Sequence, residues 1–106
     1  MYAALAAGSP VDINVTGLAA DSLGAKRMGD LPFEIVCRAG LTAVLVDDND
    51  VRRAQRLLWD EARLVAEPGG ATALAALVAG AYTPSPEEVV ALILCGANTD
   101  PGAAAG

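Results

Sequence analysis

The sequence contains no histidine and only two cysteines, Cys37 and Cys95. Without histidine there is no Ser-His-Asp triad and no Cys-His nucleophile pair, and without a C-x-x-C pair there is no zinc finger. The two cysteines stand far apart and nothing points to secretion, so no disulfide and no metal site are expected. Aromatic residues are equally scarce: Tyr2, Phe33, Trp59 and Tyr82 are the whole set. Seven basic residues, only one of them a lysine (Lys26), face thirteen acids, for a net charge of −6. A surface of that sign repels phosphate backbones and anionic lipid, so neither nucleic acid nor a membrane is an expected partner. No apolar stretch approaches the roughly 18–20 residues of a membrane span. The opening MYAALAAGSP has no basic residue ahead of its apolar part and does not read as a secretory leader, so a cytoplasmic protein is expected.

What is present is hydrophobic: 54% of 106 residues, enough to exclude disorder and to build one small domain. A domain of this size buries only about 60–65% of its unfolded surface. Much of the apolar content is alanine, which fills little core volume. Such a core gains from packing against something else.

Hydrophobic periodicity divides the chain. Tyr2–Ala7 reads as the end of a helix, closed by Gly8-Ser9-Pro10. Val11, Ile13 and Val15 alternate with polar residues, as in a short strand. A glycine-spaced segment with a short helix follows, and PFEIVCRAG reads as a helix with proline first and glycine last. Leu41–Val46 (LTAVLV) is a buried strand by its β-branched bias. Asp47 is placed to cap the next helix with Asp50 at its third position, and the acids suit the positive end of the helix dipole. That helix is expected to run to about Ala66, with Val51, Ala54, Leu58, Ala62 and Val65 on its inner face. Glu67-Pro68-Gly69-Gly70 breaks the chain before a small-residue helix, Ala71–Ala79, and Glu87–Leu94 is a last strand buried on both faces. The alternation predicts an α/β fold, part of a three-layer domain with a parallel sheet, and a frayed tail over residues 102–106.

In open parallel sheets, ligands bind beyond the carboxyl ends of the strands. Three places qualify: Thr16-Gly17, Asp47-Asp48, and Cys95-Gly96-Ala97-Asn98. The second is better read as a helix cap. Cys95 can equally be a small hydrophobe closing a buried strand, and Gly96 and Asn98 ordinary turn residues. Glu67 is expected at a helix carboxyl end, where its charge opposes the dipole; a binding role or a solvated surface carboxylate both accommodate it. Asp21-Ser22 is a helix cap or a site loop. Gly69-Gly70 at a helix start is a weak anion-binding signal, because neither the Walker nor the dinucleotide glycine pattern surrounds it.

Three stretches together carry a resemblance: GLAADSLGAKRMG, AGLTAVLVDDNDVRRAQRLLWDEARLVAEPGGATALAALVAG and VVALILCGANTDP. From about Val11 to Pro101 the chain resembles the carboxyl-terminal third of pyridoxal-phosphate-dependent serine/threonine dehydratases, of the tryptophan-synthase-β-like fold type. The resemblance implies that Cys95 faces the pyridine nitrogen of the cofactor, where a neutral thiol leaves that nitrogen unprotonated and favours β-elimination. It further implies that Gly96, Asn98 and Glu67 lie on the cofactor side; the family's usual Gly-Gly-Asn is here Gly96-Ala97-Asn98. The family's Schiff-base lysine, in a Ser-x-Lys motif, and its glycine-rich phosphate loop have no counterpart. Lys26, in GAKRMG, does not match. No catalytic residue is therefore expected in this chain. The expected reaction, deamination of L-threonine or L-serine to a 2-oxo acid, belongs to a complete enzyme, with pyridoxal phosphate as cofactor. The implied partner is the remainder of such a domain. The alternative is a stand-alone α/β binding or oligomerisation module that pairs with a partner or with itself.

Overall fold

A computed structural model describes residues 1–105. Among them lie six helices: α1 (Tyr2–Ala7), α2 (Ala20–Leu23), α3 (Asp30–Ala39), α4 (Asp48–Ala62), α5 (Pro68–Val78) and α6 (Pro101–Ala105). Gly8 and Gly40 end α1 and α3 in the left-handed conformation, φ 68° and 63°, which a glycine adopts without steric cost. Helix α3 begins two residues before Pro32, so the proline sits inside the first turn. No intrahelical donor is lost there, because those N–H groups have no partner within the helix. Asp47 caps α4 as its sequence context predicts, its Oδ1 accepting the Asp50 N–H at 2.9 Å. Where a frayed tail was expected, residues 101–105 form α6; Gly106 lies outside the described residues.

Two boundaries differ in a way that matters. Helix α4 stops at Ala62 rather than near Ala66, because Arg63 turns left-handed (φ 55°). The Arg63 guanidinium holds the turn from outside, donating to the Trp59 carbonyl at 2.9 Å and lying over the indole ring. Helix α5 starts at Pro68, three residues earlier than its apolar pattern suggests. Proline is preorganised for the first helical position and needs no N–H there. Glu67 is thus the residue that enters a helix, not one that ends it. Its charge lies at the favourable end of the α5 dipole, which corrects the expectation of an opposed charge.

The core lies chiefly between α4 and α5. Val51, Ala54 and Leu58 of α4 pack with Ala66, Ala71 and Ala75, and Leu18, Val46 and Leu74 flank them. Alanines on α5 let the two helices approach closely. Of the expected inner face of α4, Ala62 is exposed and Val65 lies past the helix end; Gln55 is buried instead. Its Nε2 donates to the Ala66 carbonyl at 2.8 Å, which satisfies a buried acceptor where the chain leaves α4.

The three apolar runs form no ladder, and no strand occurs among the described residues. Val11–Val15, Leu41–Val46 and Glu87–Leu94 donate only three backbone hydrogen bonds: Ile13 to Lys26, Leu41 back to α3 at Val36, and Glu88 to Ser85. Val89 is 95% exposed, Ile93 80% and Leu45 65%, whereas Val90 and Leu92 are half-buried. That alternation is the pattern of a strand with one face half-covered and the other bare. The molecule is 19 Å deep along its shortest axis, room for about two layers of elements. The parallel sheet expected from the apolar pattern is thus absent among the described residues, because no other extended segment pairs with these runs. A carboxylate clasp precedes the last run. Glu88 accepts from the Tyr82 hydroxyl and, at 3.1 Å, from the Ser85 N–H.

Two predictions follow from these contacts. Gln55→Met leaves the Ala66 carbonyl buried without a donor and should lower stability by about 1–3 kcal/mol in urea unfolding followed by circular dichroism. In the clasp, the shared hydrogen bond holds the Glu88 carboxyl below its ordinary value of 4.5 and the Tyr82 hydroxyl above 10.0. Glu88 therefore contributes above the ordinary carboxylate range, and its contribution is lost as pH falls through the lowered value. Tyr82 contributes below 10.0, and its contribution is lost as pH rises through the raised value. Glu88→Gln should bring the late-titrating tyrosine back toward 10.0 in a spectrophotometric titration.

Candidate functional site

The first turn of α5 and the turn after the last apolar run meet backbone to backbone. The Glu67 N–H donates to the Gly96 carbonyl at 2.9 Å. At Gly70, a Cβ would fall onto the Cys95 carbonyl oxygen and 2.9 Å from its carbon. Glycine at this position is therefore a requirement of the approach. Gly96, with φ 78°, turns the chain just past Cys95, and a Cβ there would collide with the Glu67 carboxylate. The two glycines fix where the Cys95 peptide and the Glu67 side chain lie relative to one another.

A cleft of about 570 Å³ opens at this junction, lined by Leu18, Asp21, Ser22, Glu67, Pro68, Asn98 and Thr99. Its polar groups are two carboxylates, two hydroxyls and an amide. A smaller cavity of about 170 Å³ is lined mainly by apolar residues, including Leu58, Leu64, Val65 and Leu94, with Cys95, Gly96 and Ala97. Glu67 and Asn98 thus share the larger cleft, whereas Cys95 and Gly96 line the smaller one. The Glu67–Gly96 hydrogen bond connects the two. Both cysteines are free and exposed.

The other sequence candidates separate. Asp47 is a helix cap. Asp48, beside it, reaches away from its own helix and accepts the Leu18 N–H at 3.0 Å, close against Gly17 (φ 100°). Ser22 accepts the Gly69 N–H at 3.1 Å, so the Asp21-Ser22 segment is both a cap, though of another helix, and part of the cleft wall. Thr16 lies elsewhere, in a shallow cavity with Val44, Leu45 and Val46. Sequence reasoning did not single out Thr99. The available signal for the Ser22 contact was the Gly69-Gly70 pair, since two glycines at a helix start mark close approach by another segment. Lys26 is exposed and lines none of these cavities. No cluster of metal-binding side chains occurs among the described residues. None of their helices is long and apolar enough to cross a membrane.

Comparison with known proteins places this geometry in context. Residues 1–96 match the family described as pyridoxal-phosphate dependent enzyme. A phenylserine dehydratase of Ralstonia pickettii is 38% identical over 100 residues, which cover 94% of this chain and 31% of that protein. A biosynthetic L-threonine dehydratase of Pasteurella multocida is 39% identical over 77 residues, 73% of this chain and 15% of that protein. Its counterpart in Mycobacterium leprae is 32% identical over 102 residues, 94% of this chain and 23% of that protein. The chain therefore spans less than a third of the length of each of these relatives.

The glycine contacts give a direct test. Gly70→Ala should separate the α5 first turn from the Cys95–Gly96 peptide, and Gly96→Ala should strain the left-handed turn and displace the Glu67 carboxylate. The cost expected is about 1–3 kcal/mol, as for other overpacked positions. Alkylation of Cys95 should change in rate in both variants, whereas Gly29→Ala, where a Cβ would meet Pro32 at an ordinary 3.4 Å, should leave that rate unchanged.

Proposed function

The chain belongs to the pyridoxal-phosphate-dependent enzyme family, and from that premise we propose that it supplies one wall of the cofactor site in a serine/threonine ammonia-lyase. The observation that carries the reading is the junction of Glu67, Gly70, Cys95 and Gly96. There a thiol-bearing turn is held against a helix start beside an open polar cleft. The names of the relatives, phenylserine dehydratase and L-threonine dehydratase, support 3-hydroxy amino acids as the substrate class.

The residues fit one side of pyridoxal phosphate. Cys95 offers a thiol suited to a weak hydrogen bond with the ring nitrogen, Gly96 permits close backbone approach, and Asn98 and Glu67 offer polar atoms toward the cleft. They do not fit its other side. No amine lines either cavity, so nothing in them can take the aldehyde, and the Asp21 and Glu67 carboxylates of the larger cleft oppose a phosphate there. When bound, pyridoxal phosphate supplies the electron sink for elimination of water from a 3-hydroxy amino acid. The part of this chain is to position, to keep the ring nitrogen from becoming charged, and to limit water at one face. The remaining groups belong to the rest of the domain.

The same reading accounts for the bare runs. In the complete domain, Val11–Val15, Leu41–Val46 and Glu87–Leu94 become parallel strands of an α/β sheet of the tryptophan-synthase-β-like kind, paired and covered by the remainder. Val89 and Ile93, at 95% and 80% exposure, are residues such a layer would bury.

The test is complementation. The chain is produced together with a phenylserine dehydratase lacking its equivalent segment, and 2-oxo acid is measured from threonine, serine and phenylserine. We expect product only from the pair. Cys95→Ala should lower the rate about tenfold, the worth of one hydrogen bond of ~1.4 kcal/mol; Cys95→Ser should restore it. Turnover by the chain alone, or by a pair indifferent to Cys95→Ala, would contradict the proposal. A monomeric, cooperatively melting chain that fails to complement would favour the stand-alone module.

A further inference from the structure

The loop between Gly17 and Leu23 forms one wall of the larger cleft, through Leu18, Asp21 and Ser22. It is tied down at two points, each at the start of a different long helix. At one end Asp48, the first residue of α4, accepts the Leu18 N–H at 3.0 Å. At the other, Ser22 Oγ accepts the Gly69 N–H at 3.1 Å from the first turn of α5, while its own proton is directed at the Ala19 carbonyl 3.4 Å away. The hydroxyl is thus used in both senses, which orients it.

The second tie has a particular consequence. The cap residue of α5 is Glu67, whose side chain makes no capping hydrogen bond and lies over Gly96 instead. Pro68 has no N–H, so the Gly69 N–H is the first orphan donor of the helix. Ser22 satisfies it from across the cleft. The space between them is closed as well as bonded: a Cβ on Gly69 would meet Ser22 Cβ at 2.9 Å and Leu23 Cγ at 3.3 Å. A serine on the opposite wall does the capping, and the Glu67 carboxylate remains available to the cleft.

We propose that Ser22 and Asp48 are positioning residues that together hold the Leu18–Ser22 wall against the starts of α4 and α5, and so set the width of the cleft opposite Glu67 and Asn98. The importance of that width rests on reading the cleft as the ligand-facing side. The ties themselves do not, so they are tested in the chain alone, and failure of complementation leaves their test unaffected.

The experiment is site-resolved hydrogen exchange on the 106-residue chain with Ser22→Ala and Asp48→Ala, and with the conservative Ser22→Thr and Asp48→Asn, which retain an acceptor oxygen. The Leu58 amide, in the middle of α4, reports global opening. Each alanine variant should speed exchange at both Leu18 and Gly69 by about fivefold or more, the effect of losing one hydrogen bond, with Leu58 unchanged. The double variant should add little to either single one, because the two ties hold one wall, and the conservative variants should restore slow exchange. Acceleration confined to each residue's own partner amide would show two independent caps and overturn the proposal. So would equal acceleration at Leu58, which would reduce both residues to general stability.

Discussion

The arrangement depends on one close approach, that of the α5 first turn to the peptide joining Cys95 and Gly96. Two backbones come together there with no room for a β-carbon at Gly70, the left-handed Gly96 turns beneath the Glu67 side chain, and the Glu67 N–H closes the contact on the Gly96 carbonyl. Once that distance is set, the position of the thiol, the direction of the Glu67 carboxylate and the opening of the cleft follow. The pairing of α4 with α5 supports it from beneath through alanines, which let the helices approach closely, and through Gln55, which satisfies the carbonyl at the exit from α4. Short-range backbone contact of this kind is stiff. Such stiffness is what the proposed role as one wall of a cofactor site would require.

Around this well-made junction lies a surface that is unfinished by the standards of a monomeric domain. Three apolar runs carry unpaired backbone groups, and the last of them exposes alternate large side chains almost completely. Unpaired edges of this sort invite pairing with whatever strand is available. The chain spans less than a third of the relatives it matches, and its shortest dimension holds about two layers where a parallel α/β domain has three. Precise local packing beside bare strand-like runs suits a part of a larger fold better than a self-sufficient domain.

Much of this was legible in the sequence, for reasons that differ by element. Gly8, Gly40 and Asp47 act through local backbone geometry, and local patterns report them well. Among the apolar runs, Val11–Val15 was legible as alternating, whereas Glu87–Leu94 was expected to be buried on both faces and instead leaves Val89 and Ile93 exposed with Val90 and Leu92 half-buried. Their neighbours were not legible, because hydrophobicity records burial and says nothing of strand order. The direction of Glu67 was misread because an apolar pattern starting at Ala71 hides a helix that begins at Pro68. At the site, Glu67 and Asn98 line one cavity and Cys95 and Gly96 another, joined by the Glu67–Gly96 hydrogen bond. Ser22 and Asp48 escaped notice as a pair because they act through contacts 47 and 30 residues away in sequence.

The central claim is that the last apolar run is a strand awaiting its neighbours. The measurement closest to it is the hydrogen exchange of the Val89–Leu94 amides, first in the chain alone and then in the chain assembled with the rest of a dehydratase. The account predicts that these amides exchange nearly as freely as those of an unfolded chain when alone, and become strongly protected on assembly. Strong protection in the chain alone, at concentrations where it is monomeric, would contradict it, because the run would then already have its partners.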